Sequence, residues 1–282
     1  MKKRLVLYIM LVLMSLIFNT MLCGCSKKAE KPAPSESDEE KKKTPDVLKE
    51  LESSIQDIMD ELDKKEEEKE KAEITIESKT EIKQEEGQDK ASNETKQETK
   101  QEVKQESPED KKWESITKKV EKIHEQWNEL QPEAVKGGTP TKVMDTFSNT
   151  LNTLTTYVES RDMQNTLFFA NELYRNIPDF MEQYNEKVPP DIKRMAYFIR
   201  DAKYNGMINQ WEKSVSSINN LKSHWAIVKA QGKKEQEKQV SQMDFSITEL
   251  EKVVTQGNIT LTRLKSDIAL DNLKKLEESF NK

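Results

Sequence analysis

From Trp113 onward, apolar residues recur at helical spacing, and this periodicity constrains the fold more than any other feature of the chain. Steps of three and four residues build stripes over 113–130, 144–158, 163–184, 240–254 and 261–280. This spacing places side chains on one face of an α-helix, whereas a half-buried strand alternates at every second residue. No stretch alternates in that way. The sequence therefore predicts an all-α fold, an antiparallel helical bundle.

Residues typical of helix ends separate these stripes. Asp162 and Asn258 each stand where a side-chain oxygen accepts a free amide at the start of a helix. Gly257 suits the left-handed position that closes the preceding helix. Pro178 lies inside a good stripe, so we expect a break near Ile177. We expect 191–231 to form one long helix, kinked at Asn205-Gly206.

Two pairs of tryptophans suggest an internal repeat. Trp113 and Trp127 are 14 residues apart, as are Trp211 and Trp225, and the second pair is offset from the first by 98 residues. One interpretation is that the bundle consists of two related three-helix units. The other is that tryptophans recur on one buried face, because fourteen residues make two heptads. The sequence leaves both interpretations open.

Composition divides the chain sharply. Residues 26–110 contain no aromatic residue and cannot bury a core, so we assign 25–110 as a charged tether and 111–282 as the helical domain. The tether region is acidic, while 111–282 carries 26 Lys and Arg against 24 Asp and Glu. A near-neutral domain has no basic surface for nucleic acid, so we expect no nucleic-acid partner.

One segment of the tether has a helical pattern of its own. Within 46–71, coiled-coil spacing connects Leu48, Leu51, Ile55, Ile58 and Leu62. The pattern lasts about two heptads, and an isolated helix of that length is marginally stable. We expect a solitary, transient helix or weak self-association, and the oligomeric state stays open. Residues 72–110 repeat Lys-Gln-Glu and resemble a solvated spacer.

The N-terminal segment contains a targeting pattern. Basic residues at 2–4 precede an apolar run over 5–18, and Leu22-Cys23-Gly24-Cys25 follows. Residues 1–26 resemble the leaders of bacterial lipoproteins. The resemblance implies that 1–24 is a signal peptide and that Cys25 carries diacylglycerol and palmitate. The protein would then be anchored on the extracytoplasmic face of the bacterial cell membrane. The alternative is an uncleaved membrane span.

The motifs of catalysis and metal binding are scarce. Glu121 stands three residues before His124, but His224 has no such partner, so we predict no metal site. No Gly-x-Ser-x-Gly elbow or phosphate-binding glycine loop occurs. We therefore predict a non-enzymatic protein without a cofactor.

The aromatic residues are densest around two neighbouring segments of the chain. These segments contribute a candidate surface for a partner or a ligand: Phe168, Phe169, Tyr174, Tyr197 and Phe198. The alternative is ordinary core packing between helices. The sequence as a whole favours a lipid-anchored binding or scaffolding module whose partner is an envelope protein or the cell wall. A small-ligand-binding or solute-binding lipoprotein is the alternative.

Overall fold

A computed structural model describes residues 43–82 and 107–281, with only the backbone described over 65–82. These residues are almost entirely helical and contain no β-strand, so the all-α prediction is confirmed. The first part comprises α1 (Asp46–Ile82), α2 (Pro108–Gly137), α3 (Thr141–Glu159) and α4 (Met163–Tyr174). The second part comprises α5 (Ile177–Met181), α6 (Pro190–Met207), α7 (Trp211–Gln231), a 3-10 turn (Lys234–Gln236), α8 (Glu237–Thr255) and α9 (Ile259–Phe280).

The long helices form two four-helix bundles with the same connectivity. In the N-terminal bundle, α1 packs against α2 and α4, and α3 packs against α2 and α4. In the C-terminal bundle, α6 packs against α7 and α9, and α8 packs against α7 and α9. The short helix α5 connects the two, and α6 contacts both α4 and α5. Each bundle therefore closes a ring of four apolar helix faces, and the buried residues of both bundles form one continuous core.

The turn before the last helix has the same geometry in both bundles. Arg161 and Gly257 occupy the left-handed region, with φ of 55° and 64°. The next residue, Asp162 or Asn258, then caps the following helix with its side chain. Both caps and the left-handed glycine agree with the sequence predictions. The shared turn supports a structural repeat, but its unit is a bundle of four helices.

The fourth helix of the N-terminal bundle is α1, which comes from a segment that the sequence analysis assigned to the tether. In α1, Leu51, Ile55, Ile58 and Leu62 are fully buried against the rest of the same chain. The helix is neither solitary nor free for self-association through this face, and the packed body begins well before residue 111. The prediction of three-helix units is corrected for the same reason. An apolar stripe of this kind is stabilised by packing and not by its own helix propensity.

The prediction of one long helix over 191–231 is wrong, because this segment forms two helices, α6 and α7. Its chain turns back between α6 and α7, where Asn209 adopts a left-handed conformation with φ of 60°. Asparagine tolerates this region better than most residues, since its short polar side chain bonds locally. The expected break near Ile177 is confirmed, because α4 ends at Tyr174 and α5 begins at Ile177 with Pro178 in its first turn.

Several predictions concern residues outside this description. The leader, Cys25, the charged segment up to residue 42 and the Lys-Gln-Glu repeats all lie there. In the parts of the chain that are described, no helix is both long enough and apolar enough to cross a bilayer.

Candidate functional site

A polar cleft lies between α1, α6 and α9, close to the contact between the two bundles. Its volume is about 610 Å³, and Tyr174 of α4 contributes to its floor. Three cationic side chains of α6 enter it, from Lys193, Arg200 and Lys203. These positions follow helical spacing, so they share one face of α6. The carboxylates that face them come from α1 and α9.

Lys193 forms an ion bridge at one end of the cleft. Its Nζ donates to Glu52 Oε1 of α1 at 2.6 Å and to Glu277 Oε1 of α9 at 2.5 Å. The lysine side chain is only 8% exposed. Burial by itself lowers the pKa of Lys193, but the two carboxylates favour the charged form and raise the pKa above its usual value. The bridge therefore stays charged and holds α1 and α9 against α6.

Lys203 forms a matching bridge at the other end. Its Nζ lies 3.1 Å from Asp63 Oδ2 of α1 and 2.9 Å from Asp267 Oδ1 of α9. Tyr204 donates a further hydrogen bond to Asp63 Oδ2 at 3.3 Å. Burial raises the pKa of Asp63 by more than the neighbouring Lys203 lowers it. The pKa of Lys203 is also raised, because Asp63 and Asp267 outweigh its own burial.

Between Lys193 and Lys203 along α6, Arg200 has no carboxylate at hydrogen-bonding distance among the described residues. Its guanidinium lies 4.7 Å from the centre of the Tyr174 ring, a cation–π contact. The residue is 8% exposed, and its Nη1 has no hydrogen-bond partner among the described residues. The hydroxyl of Tyr174 donates to Glu52 Oε1 at 3.1 Å and accepts from Gln56 Nε2 at 3.3 Å. Burial raises the pKa of Tyr174, so the ring stays neutral.

This arrangement is suited to binding. A lysine acts as a nucleophile only when it is neutral, and the two buried lysines of the cleft, Lys193 and Lys203, are held in the charged form. Glu52 and Asp63 already accept hydrogen bonds from lysine and tyrosine. The cleft therefore offers fixed charges and hydrogen-bonding groups, and Arg200 is the cation of α6 that forms no ion pair with a described carboxylate.

The predicted aromatic surface does not form a single site. Phe168 packs against Tyr204, and Phe169 stacks on Tyr157. Tyr197 and Phe198 contact each other, with ring centres 4.9 Å apart. Tyr174 alone of the predicted five lines the cleft.

The two histidines lie apart from the cleft. His124 Nε2 is 2.9 Å from Thr155 Oγ1, and His224 Nδ1 is 2.7 Å from Asp191 Oδ1. Throughout 43–64 and 107–281, no group of three or more His, Cys, Asp or Glu side chains has an arrangement that would hold a metal ion.

Sequence reasoning missed the cationic residues of α6. A faint signal exists, since Lys193, Ala196, Arg200 and Lys203 follow 3-4-3 spacing directly beside an apolar stripe. The same pattern occurs on any helix whose charged face meets water, so it carries little information without the neighbouring helices.

No family model, curated protein or solved structure matches this chain. The fold and the cleft define a helical-bundle protein with a charged cleft between α1, α6 and α9.

Proposed function

We propose that this protein is a lipid-anchored, non-enzymatic binding or scaffolding module of the bacterial cell envelope. The observation that carries the proposal is Leu22-Cys23-Gly24-Cys25 at the end of an apolar run. Cys25 would carry the lipid and hold the protein on the extracytoplasmic face of the membrane. Residues beyond it provide a spacer, and the helical body is the part that engages an envelope protein or the cell wall.

The body supports a binding role through its rigidity. Two closed bundles bury apolar residues on every long helix, and ion bridges connect α6 to α1 and α9. A rigid surface loses little conformational entropy when a partner binds, which favours affinity. In the cleft, Lys193 and Lys203 form ion pairs with carboxylates of α1 and α9, and these pairs hold the helices in place.

Replacing Cys25 by serine tests the anchor. We expect Cys25→Ser to abolish labelling by a clickable fatty acid and to release the protein from the membrane fraction, because the acylated thiol is gone. The matched control is Cys23→Ser, which removes the other cysteine of the chain but leaves labelling intact. Labelling that persists in Cys25→Ser, or is lost only in Cys23→Ser, contradicts the proposed site.

Mild cross-linking in intact cells, followed by purification, tests the scaffolding role. The control is a chain that keeps residues 1–42 but carries an unrelated helical domain in place of 43–282. We expect at least one envelope component to be enriched about tenfold over this control, since a specific interface discriminates between partners by free energy. If both chains enrich the same components equally, the body has no binding role of this kind.

A second candidate function is the binding of a small solute. The polar cleft favours it, since its volume falls in the range of about 300–1,000 Å³ that small-molecule sites occupy. Basic and acidic side chains line this cleft together with Tyr174, so a polar solute would find groups of both signs there. A thermal-shift screen tests this function, because a ligand that binds only the folded chain raises its melting temperature.

A further inference from the structure

Large apolar side chains are exposed on the outer face of α8 and α9. Seven such side chains are exposed among the described residues, and four of them lie on these two helices, where we call them the apolar patch: Phe245, Leu261, Leu264 and Ile268. Phe245 is 72% exposed and Leu264 is 52% exposed. Single apolar residues on a surface need no explanation, whereas a contiguous patch marks a site of interaction.

A contact between the two helices shows that the patch is contiguous. Glu249 of α8 lies 3.4 Å from Lys265 of α9, so both residues line the seam between the helices. Phe245 stands one turn before Glu249, on the same side of α8. Leu261 and Ile268 stand one turn to either side of Lys265, on the same side of α9. The apolar side chains of both helices therefore meet along one seam.

The first half of α9 exposes the residues that a surface helix normally buries. Thr262 and Ser266 face the interior, while Leu261 and Leu264 face outward. The buried hydroxyls of Thr262 and Ser266 have no hydrogen-bond partner among the described residues. Small side chains are needed there because α6 approaches closely, and a Cβ added to Gly206 would meet Thr262 Cγ2 at 3.4 Å. The outward leucines contribute little to the core and are available to a partner.

The length of chain before α1 indicates which partner is nearest. Helix α1 begins at Asp46, so 20 residues, 26–45, separate it from the proposed lipid on Cys25. Fully extended, such a segment spans at most about 70 Å. Helix α9, with its 22 residues, is about 33 Å long. The anchor therefore keeps the body within reach of the bilayer, at a high effective concentration.

The size and charge of the apolar patch suit a bilayer better than a protein. A stable protein interface takes about 20–30 residues from each partner, whereas the patch comprises four large side chains. A bilayer needs no complementary shape. Lys252 and Lys265 flank the patch, and both pair with Glu249, so the local charge neither strongly attracts nor repels lipid headgroups. Docking would then depend on apolar insertion, with the lysine stems extending toward the headgroups.

We propose that the apolar patch is a membrane-docking surface, which inserts into the boundary between headgroups and acyl chains. Phe245 and Leu264 are its most exposed members and insert furthest. This inference rests on the proposed lipid anchor and specifies how the anchored body lies on the membrane, with α8 and α9 against the bilayer. It is independent of the polar cleft.

Quenching by brominated lipids tests the docking of the lipidated protein in vesicles of phosphatidylethanolamine and phosphatidylglycerol. A fluorescent probe is attached to Leu264→Cys, and Ile227→Cys is the matched control, because Ile227 is 46% exposed on α7 of the same bundle. The proposed mature chain keeps only Cys25, whose thiol is acylated, so the introduced cysteine alone reacts. We expect bromine on the acyl chains to quench the probe at 264 about threefold or more over the control, since a docked surface lies at the acyl boundary.

Substitutions within the patch test its composition. Phe245→Gln together with Ile268→Gln should reduce quenching at 264 to the level of the control, while circular dichroism shows that the helices are intact. Vesicles of phosphatidylcholine should give quenching within about twofold of the anionic vesicles, because insertion here is apolar and the flanking charges are paired. Unchanged quenching in the double variant, or a strict requirement for anionic lipid, overturns the proposal.

Two further outcomes identify a different occupant. A probe at 264 that is shielded from aqueous iodide but not quenched by brominated lipid shows that something other than the bilayer covers the patch. A disulfide between two copies of Leu264→Cys then identifies a second copy of the chain. Equal quenching at 264 and 227 shows that the body has no fixed face toward the membrane. Each of these results contradicts docking.

The docking proposal and the anchor beneath it fail in different ways. If mass spectrometry shows lipid on Cys25 but the probe at 264 behaves like the control, the anchor stands and docking falls. If Cys25 carries no lipid, the anchor itself fails, and the docking proposal falls with it.

Discussion

Replacing Ile55 by aspartate is expected to unfold much of the body, although the residue lies in a segment whose composition resembles a spacer. Ile55 is fully buried in α1, against the rest of the bundle. Truncating such a side chain costs about 2–5 kcal/mol, and an unpaired buried carboxylate adds several more. That sum is comparable with the whole free energy of unfolding of an ordinary domain. Urea denaturation of the full chain, followed by circular dichroism, measures the loss.

The matched control lies two residues earlier on the same helix. Ser53 is exposed, so Ser53→Asp introduces the same side chain and should change the free energy of unfolding by less than about 0.5 kcal/mol. If Ile55→Asp is as mild as Ser53→Asp, α1 does not belong to the core. The same conclusion follows if Ile55→Asp lowers the helix content of the chain but leaves the midpoint of urea denaturation unchanged.

The second large effect is expected at Lys193. Lys193→Met should lower the free energy of unfolding by about 3–5 kcal/mol, because it leaves Glu52 and Glu277 close together without their shared cation. Methionine keeps most of the aliphatic volume, so the loss measures charge more than packing. Urea denaturation at neutral pH, where the lysine is charged in the wild type, measures it.

A compensated variant distinguishes a buried bridge from a solvated one. Changing Glu52 and Glu277 to glutamine together with Lys193→Met removes the uncompensated charge and should recover most of the stability. Lys274→Met serves as the control, since this lysine is exposed in the same cleft and should cost under about 0.5 kcal/mol. A cost below about 1 kcal/mol for Lys193→Met would mean that water already solvates the pair.

Local signals predicted much of the fold. The helical stripes of 113–130 and 144–158 coincide with α2 and α3, and buried tryptophans at 113 and 127 lie on the predicted face. The caps at Asp162 and Asn258 could be recognised because capping is decided within four residues of sequence. Each of these features depends on neighbours along one helix, which is the information that spacing contains.

The errors arose where distant segments decide the outcome. The apolar stripe of α1 is as regular as the others, but it is short and is followed by 83–106, a long polar stretch. Only the groove between α2 and α4 explains why it packs within its own chain. The turn at Asn209 was similarly hidden, because a stripe that continues through a turn looks the same as one that continues along a helix.

By itself, the sequence determined the all-α class and most helix boundaries, because periodicity and capping are local. The tertiary structure decided which faces meet. It made α1 the fourth helix of the first bundle and placed α6 between carboxylates of α1 and α9. From the sequence alone, a charged residue beside an apolar stripe could equally well face water or pair with a buried residue of opposite charge. The energy that distinguishes these environments comes from helices distant in sequence, and so the cleft around Arg200 emerged only from the fold.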